Sequence, residues 1–413
     1  MAPLNVPIVL MEQSIDRRRC AMKLHVFTHL RPSFSPARLA VTVVFFINGF
    51  VFSNWVPRIP AIQQHLGLNT GMLGLALWGI AIGALLSQSL AGWLVTRLSS
   101  RTVMRVASLL YCMALPLPAL AMDLPTLMLA LFALGLTNGL LDVAMNAQGV
   151  VVEQQEGHPV FSSFHAAFSG GGLLGAVCGG LLASFGVAPL FHFCLVAVVT
   201  MSAALGAARW LLPGRTDIKR GRGRAIFRPS GLLLLLGFMA FCALLGEGTV
   251  ADWSAVYLQG TLHSSVGLAA GGFAAFSLMM ALGRLVGDHL TGVWGPAALA
   301  RRSGLLAAGG LGIALLIPHP VVAIVGYALF GAGLSCIFPI VLRAAGHLEN
   351  IQAAAAIAAV STLGYTGFLA GPPMIGFLAE WLTLRGALGV VVMLTFLIAV
   401  VAGSIQQRNS PSP

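Results

Sequence analysis

The chain has 413 residues, of which 58% are hydrophobic and only 8% charged, whereas soluble domains carry roughly 25% charged residues, so a water-facing surface cannot be built from it. Its net charge of +11 would suit a nucleic acid, but that partner needs basic and aromatic residues interleaved on a folded soluble face, and none is available. The six cysteines (Cys20, Cys112, Cys178, Cys194, Cys242 and Cys336) show no CxxC or Cys/His spacing, so free thiols are expected and no metal, disulfide or cofactor.

In chain order, residues 1–37 read as a cytoplasmic tail. Their apolar stretch, Val6 to Met11, is too short for the core of a secretion signal and is followed by Arg17, Arg18 and Arg19. Apolar segments then lie near 38–60, 71–95, 103–122, 125–151, 160–185 and 188–212. The basic stretch 213–230 follows as a linker, and six more segments lie near 231–258, 266–290, 302–318, 320–345, 352–380 and 384–405, with a short tail at 406–413. Segments of roughly 20 apolar residues match a hydrocarbon core of ~30 Å, so twelve spanning helices are expected.

Lys and Arg set the orientation. With the N-terminus inside, Arg97, Arg101, Arg105, the linker cluster, Arg301, Arg302, Arg343 and Arg408 all fall on the cytoplasmic side, while Arg58 and Arg385 fall outside. Both termini are therefore expected in the cytoplasm of a bacterial inner-membrane protein. The halves also resemble each other. Asn54 and Trp55 are matched by Asp252 and Trp253, Leu66 and Gly71 by Leu262 and Gly267, and Gly135 by Gly331. Ser169, Gly172, Gly175 and Gly179 are matched by Ser361, Gly364, Gly367 and Gly371. Ordered matches at a nearly constant shift indicate a parallel six-helix repeat, and two such halves around a central site is a transporter plan.

At these residues the chain resembles the major facilitator superfamily. The loop GWLVTRLSSR, Gly92 to Arg101, is similar to that superfamily's loop signature, with Thr96 and Ser99 in place of its usual Asp and Gly. Leu141 to Gln148, LDVAMNAQ, resembles the L-[DE]-x-A-x-N stretch of the fucose-permease-like sugar:proton symporters. Ser162 to His165, Gly331 to Pro339 and Ser361 to Pro373 look closer still to uncharacterised bacterial permeases near that branch. The resemblance covers nearly all of the chain after residue 38. It implies an all-α fold of two pseudo-symmetric six-helix halves and a solute carried by alternating access.

An ionisable group inside a span costs ~2.5 to 3.5 kcal/mol or more at the bilayer centre, so each one calls for a reason. Asn138, Asp142 and Asn146 recur every four residues and form one polar helix face, which either lines a cavity or packs against neighbouring backbone. The resemblance implies that Asp142 carries the coupled proton, and His165, counted to a similar depth, could relay it. Glu247, between Gly246 and Gly248, is expected in a weakened helix forming a site wall, in the outer half of its span. Arg58 is expected to pair with Asp252 or Glu247 as an outer gate, or as a static interfacial ion pair. Asp288, beside Arg284 at the inner end of its span, is expected to form a cytoplasmic latch, and Arg97 is a further gating candidate. Asn48, Asn54, Gln88, Thr362 and Tyr365 could offer neutral hydrogen bonds to a solute or simply pack.

The expected partners are thus a small polar solute, protons and the lipid bilayer, with no nucleic acid, in a monomer. Export of drugs or metabolites is a second reading, because a site with few fixed charges also accepts amphipathic compounds. A non-transporting membrane sensor or scaffold is a third. No nucleophile–base set points to an enzyme.

Overall fold

A computed structural model describes residues 35–157, 160–213, 231–348 and 353–405, and all secondary structure within them is helical. Residues 1–34 of the expected N-terminal tail, the expected C-terminal tail and all but residue 213 of the expected linker lie outside the described residues, while Ser35 caps and Pro36 begins the first helix. In hydrocarbon every backbone N–H and C=O must be satisfied within its own segment, which leaves helix as the form available to these sequences.

The first six spans are α1 (Pro36–His65), α2 (Thr70–Leu98), α3 (Ser100–Leu120), α4 (Leu124–Glu156), α5 (Phe161–Ser184) and α6 (Pro189–Ala207). The second six begin with α7 (Gly231–Thr261), α8 (Val266–Trp294), α9 (Pro296–Leu316) and α10 (Pro320–Gly346). A single helical run, Ala353–Val401, then turns sharply at Thr383, whose φ of 65° is left-handed, and so provides α11 (353–382) and α12 (384–401). Helix starts follow the local chemistry: the side chains of Ser35, Asn69, Asp123 and Ser265 each accept an N–H from the first turn of α1, α2, α4 and α8.

Two edges and one expected helix break differ most from the hydropathy reading. The first span does not stop at 60 but runs to His65, because Pro57 and Pro60 sit in a 3₁₀ turn and at a helix start, where a missing N–H costs nothing. The ninth begins at Pro296, its polar first turns, with Arg301 and Arg302, being helical but not apolar. The helix containing Gly246, Glu247 and Gly248 is unbroken from Gly231 to Val256. Its glycines serve packing instead: a Cβ at Gly246 would meet Phe330, and one at Gly248 would meet Phe368.

Each half packs in the same way. In the first, α1 lies on α5 and α2 on α4; in the second, α7 lies on α11 and α8 on α10. The repeated glycines sit at these crossings. A Cβ at Gly175 would stand 2.4 Å from the Phe50 carbonyl oxygen and one at Gly367 2.4 Å from that of Phe241. Likewise Gly135 faces Ile80 O at 2.1 Å, as Gly331 faces Phe276 O at 2.4 Å. Small residues allow such contact between spanning helices, where dispersion rather than burial from water drives association.

Ser35, Glu156, Ser100 and Leu212 cluster at one end, the near end, through hydrogen bonds from Ser35 to Glu156 (2.6 Å) and from Gln148 to Ser100 (2.8 Å) and Leu212 O (3.1 Å). The halves meet along α5–α8 and α2–α11. Among the described residues, the hydrogen bonds and close glycine approaches that join them all lie at the opposite, far end, at Thr70, Gly71, Gly74, Gly180, Gly267 and Gly376. The molecule is therefore closed at the far end.

Candidate functional site: a polar space between the halves

Glu247 stands mid-span in α7, 16 residues from Gly231 and 14 from Thr261. It does not reach Arg58. Its Oε2 instead accepts from Arg284 Nη2 at 3.4 Å, with the two side chains 29% and 40% exposed. Exposure of a charged pair at that depth means that it faces an open space rather than lipid, where neither group would be solvated. Glu247 is therefore a central residue and not part of an outer gate.

The first half supplies the facing wall. Asp142 is half-buried on α4, and Asn146 reaches back one turn to donate to its carbonyl (2.8 Å) and carboxylate (3.2 Å). Asn138, on the same face, has a buried Oδ1 with no hydrogen-bond partner. His165 is exposed on α5, ringed by Phe45 and Phe161 at centroid distances of 5.3 and 5.2 Å, and lies in the electrostatic field of Arg284. Tyr365, 44% exposed on α11 and stacked on Phe368, lies in the fields of both Asp142 and Glu247. Asp142, His165, Glu247, Arg284 and Tyr365, from α4, α5, α7, α8 and α11, thus share one polar space, with Asn138 and Asn146 on the α4 face. Arg284 was not assigned there from sequence; as a charge inside a span it met the same test that singled out Glu247.

Among the described residues, the other candidates show no hydrogen bond or ion pair to this group. Asn48 is 2% exposed inside the first half, donating to Met145 Sδ at 3.7 Å while its carbonyl accepts from the Tyr111 hydroxyl. Gln88 is exposed on α2, and the Thr362 hydroxyl bonds the Ala358 carbonyl of its own helix. Asp288 pairs with Arg343 at 2.9 Å rather than with Arg284, joining α8 to α10 within one half. Arg97 is exposed and lies over the Trp93 ring at 5.2 Å.

Arg58, 4% exposed, has neither Asp252 nor Glu247 within ion-pair distance. Its Nε donates to His192 Nδ1 at 2.9 Å, which requires the proton of that imidazole to sit on Nε2, and Nε2 then donates to Asn54 Oδ1 at 2.8 Å. Asn54 completes the chain by donating to Phe50 O. The Arg58 Nε is thus held by a neutral network inside the first half while its Nη2 is buried with no hydrogen-bond partner, and Asp252 is half-buried on α7. No cluster of three or more metal-ligating side chains occurs among the described residues.

Comparison with known proteins agrees with this architecture. The chain is 36% identical over 368 residues to an uncharacterised MFS-type transporter of Yersinia pestis, covering 89% of this chain and 95% of that protein. Its fold is similar to that of a variant of the nucleoside transporter NupG, with a TM-score of 0.74 and 11% identity over 89% of this chain and 99% of the other. A D-xylose–proton symporter gives a TM-score of 0.66 and 15% identity, over 90% and 98%. With its residues 41–348 matching the family model described as Major Facilitator Superfamily, the chain belongs to that superfamily and is a multi-pass membrane transporter rather than an enzyme.

Proposed function

We propose that this transporter moves a small polar solute, sugar-like if the resemblance extends to chemistry, by alternating access coupled to protons. The observation that carries the reading is the position of Asp142. A carboxylate on one half faces a charged pair, Glu247–Arg284, on the other, with Tyr365 in the fields of both acids. A carboxyl at that place changes the charge of the space when it takes or loses a proton, and so can bias which end opens. Asn138 with its unpartnered oxygen, Asn146, Glu247 and Tyr365 serve as solute ligands, and His165 hands the proton on. The two rocking bodies are residues 38–212 and 231–405, joined by 213–230. The excess of Lys and Arg at the near end makes that end cytoplasmic, so the described conformation is open inward.

Coupling is energetically sufficient. One proton crossing ~100 mV supplies ~2.3 kcal/mol and one pH unit adds ~1.4, together enough for a several-hundred-fold solute gradient. The test is a thermal-shift screen of purified protein against sugars, acids and drugs, followed by pH-jump uptake in proteoliposomes. Asp142→Asn should bind the hit but lose the dependence of uptake on the pH gradient; normal proton-driven uptake in that variant would remove the assignment. Export of amphipathic compounds is the second reading, favoured by the Phe161 and Phe368 rings packed against His165 and Tyr365.

A further inference from the structure

The first turn of α2 is capped from both halves. Asn69 Oδ1 accepts the Met72 N–H at 2.8 Å, an ordinary cap from its own chain. Glu380, on α11 of the other half, accepts from the Thr70 hydroxyl at 2.5 Å and from the Gly71 N–H at 2.9 Å, both through Oε1. The Gly71 N–H has no partner within α2, because a helix leaves its first N–H groups free, and the positive end of the helix dipole favours a carboxylate there. The approach is possible because this crossing is lined with glycine. A Cβ at Gly74 would stand 2.6 Å from the Pro372 carbonyl oxygen, and one at Gly376 2.8 Å from that of Thr70. Among the described residues, these are the hydrogen bonds that cross between the halves, and they lie at the closed end.

We propose that Glu380 is the far-side latch of the transport cycle, holding the near-open state by capping α2 from the opposite half. Opening the far end parts α2 from α11 and breaks both bonds together, leaving the α2 terminus to water. A crevice of about 340 Å³ lined by Gln63, Gly67, Thr70, Val256 and Leu384 already brings solvent to the Thr70 side of the seam. The latch sets the balance between the two conformations, whereas the central residues set what is carried. Its role in transport rests on the alternating-access reading, but the bond and its effect on opening can be read without any solute.

The experiment places spin labels on cysteines introduced at Phe185 and Leu316, exposed far-end positions in opposite halves, with the six native cysteines replaced by alanine. The parent should show mainly the short, closed distance. Glu380→Ala should raise the far-open fraction about tenfold, the order expected for a lost charge-assisted hydrogen bond. Thr70→Val, which keeps the carboxylate and the Gly71 bond, should shift the same distribution by a smaller factor. A role in folding alone would lower thermal stability and leave the distances unmoved, so an unchanged distribution in folded Glu380→Ala overturns the latch. If Glu380→Ala does not fold, Thr70→Val decides: a shifted distribution supports the latch and an unchanged one overturns it. Because the distances are read without solute, failure of the transport reading would show separately, as absent uptake.

Discussion

Arg58 shows how a cation can be held inside a membrane protein without an anion. Its Nε has one acceptor, His192 Nδ1, and that acceptor exists only while the imidazole is neutral with its proton on Nε2, the form that Asn54 selects by accepting from it. Protonation of His192 would turn the acceptor into a donor and set two positive charges side by side. Removing the ring is the simpler test. His192→Leu leaves a buried charged donor unmet and should cost about 2 kcal/mol or more, seen as a lower thermal unfolding midpoint in detergent. His192→Gln, whose amide oxygen can still accept, should cost clearly less. Equal losses would mean that the ring's bulk against Phe193, not its nitrogen, is what matters at this position.

At the scale of helices, neighbouring glycines in α5 divide sharply in what they do. A Cβ at Gly171 would sit 2.1 Å from the Phe46 carbonyl oxygen of α1, while Gly170, one residue earlier, has open space. Gly171→Ala must push α1 and α5 apart and should destabilise the protein by about 1–3 kcal/mol, the usual cost of overpacking. Gly170→Ala should be neutral or slightly stabilising, since Ala is the better helix former. Thermal unfolding of the two variants side by side checks the contrast. The glycine repeat was visible in the sequence because crossings of α1 with α5 and of α7 with α11 reuse one pattern at a fixed shift. Depth is legible only approximately, since hydropathy counts residues from a loosely defined edge: the count puts Glu247 in the outer half, and the helix puts it mid-span. Lateral neighbours are not legible: nothing in either signal says that α7 lies against α8, so neither the Glu247–Arg284 pair nor the Asp288–Arg343 pair is foreseen. The contact of Arg58 with His192 is hidden for the same reason, because a partner on α6 134 residues away leaves no trace in periodicity. Glu380, an exposed residue near the end of a helix, becomes notable only once α11 is set against α2.

For the molecule as a whole, the two halves touch along two seams, α5–α8 and α2–α11, and a two-fold exchange of the halves maps one onto the other. Rocking about the central space must open the far ends of both seams together. The α5–α8 seam provides an independent way to hold it shut. A Cβ at Gly267 would stand 3.6 Å from the Ser184 Cβ, within the ~3.5–4.5 Å that a disulfide requires. The double variant Ser184→Cys with Gly267→Cys should therefore cross-link on mild oxidation without moving either helix. The bond fixes the far end closed, so oxidised protein should lose uptake by at least tenfold, and reduction should restore it, while either single cysteine variant should be indifferent to oxidant. Binding to detergent-solubilised protein should survive the cross-link, because the near end stays open. Uptake that persists in fully cross-linked protein would mean that the far ends of α5 and α8 do not separate during transport, and the rocking of two rigid halves would have to be given up.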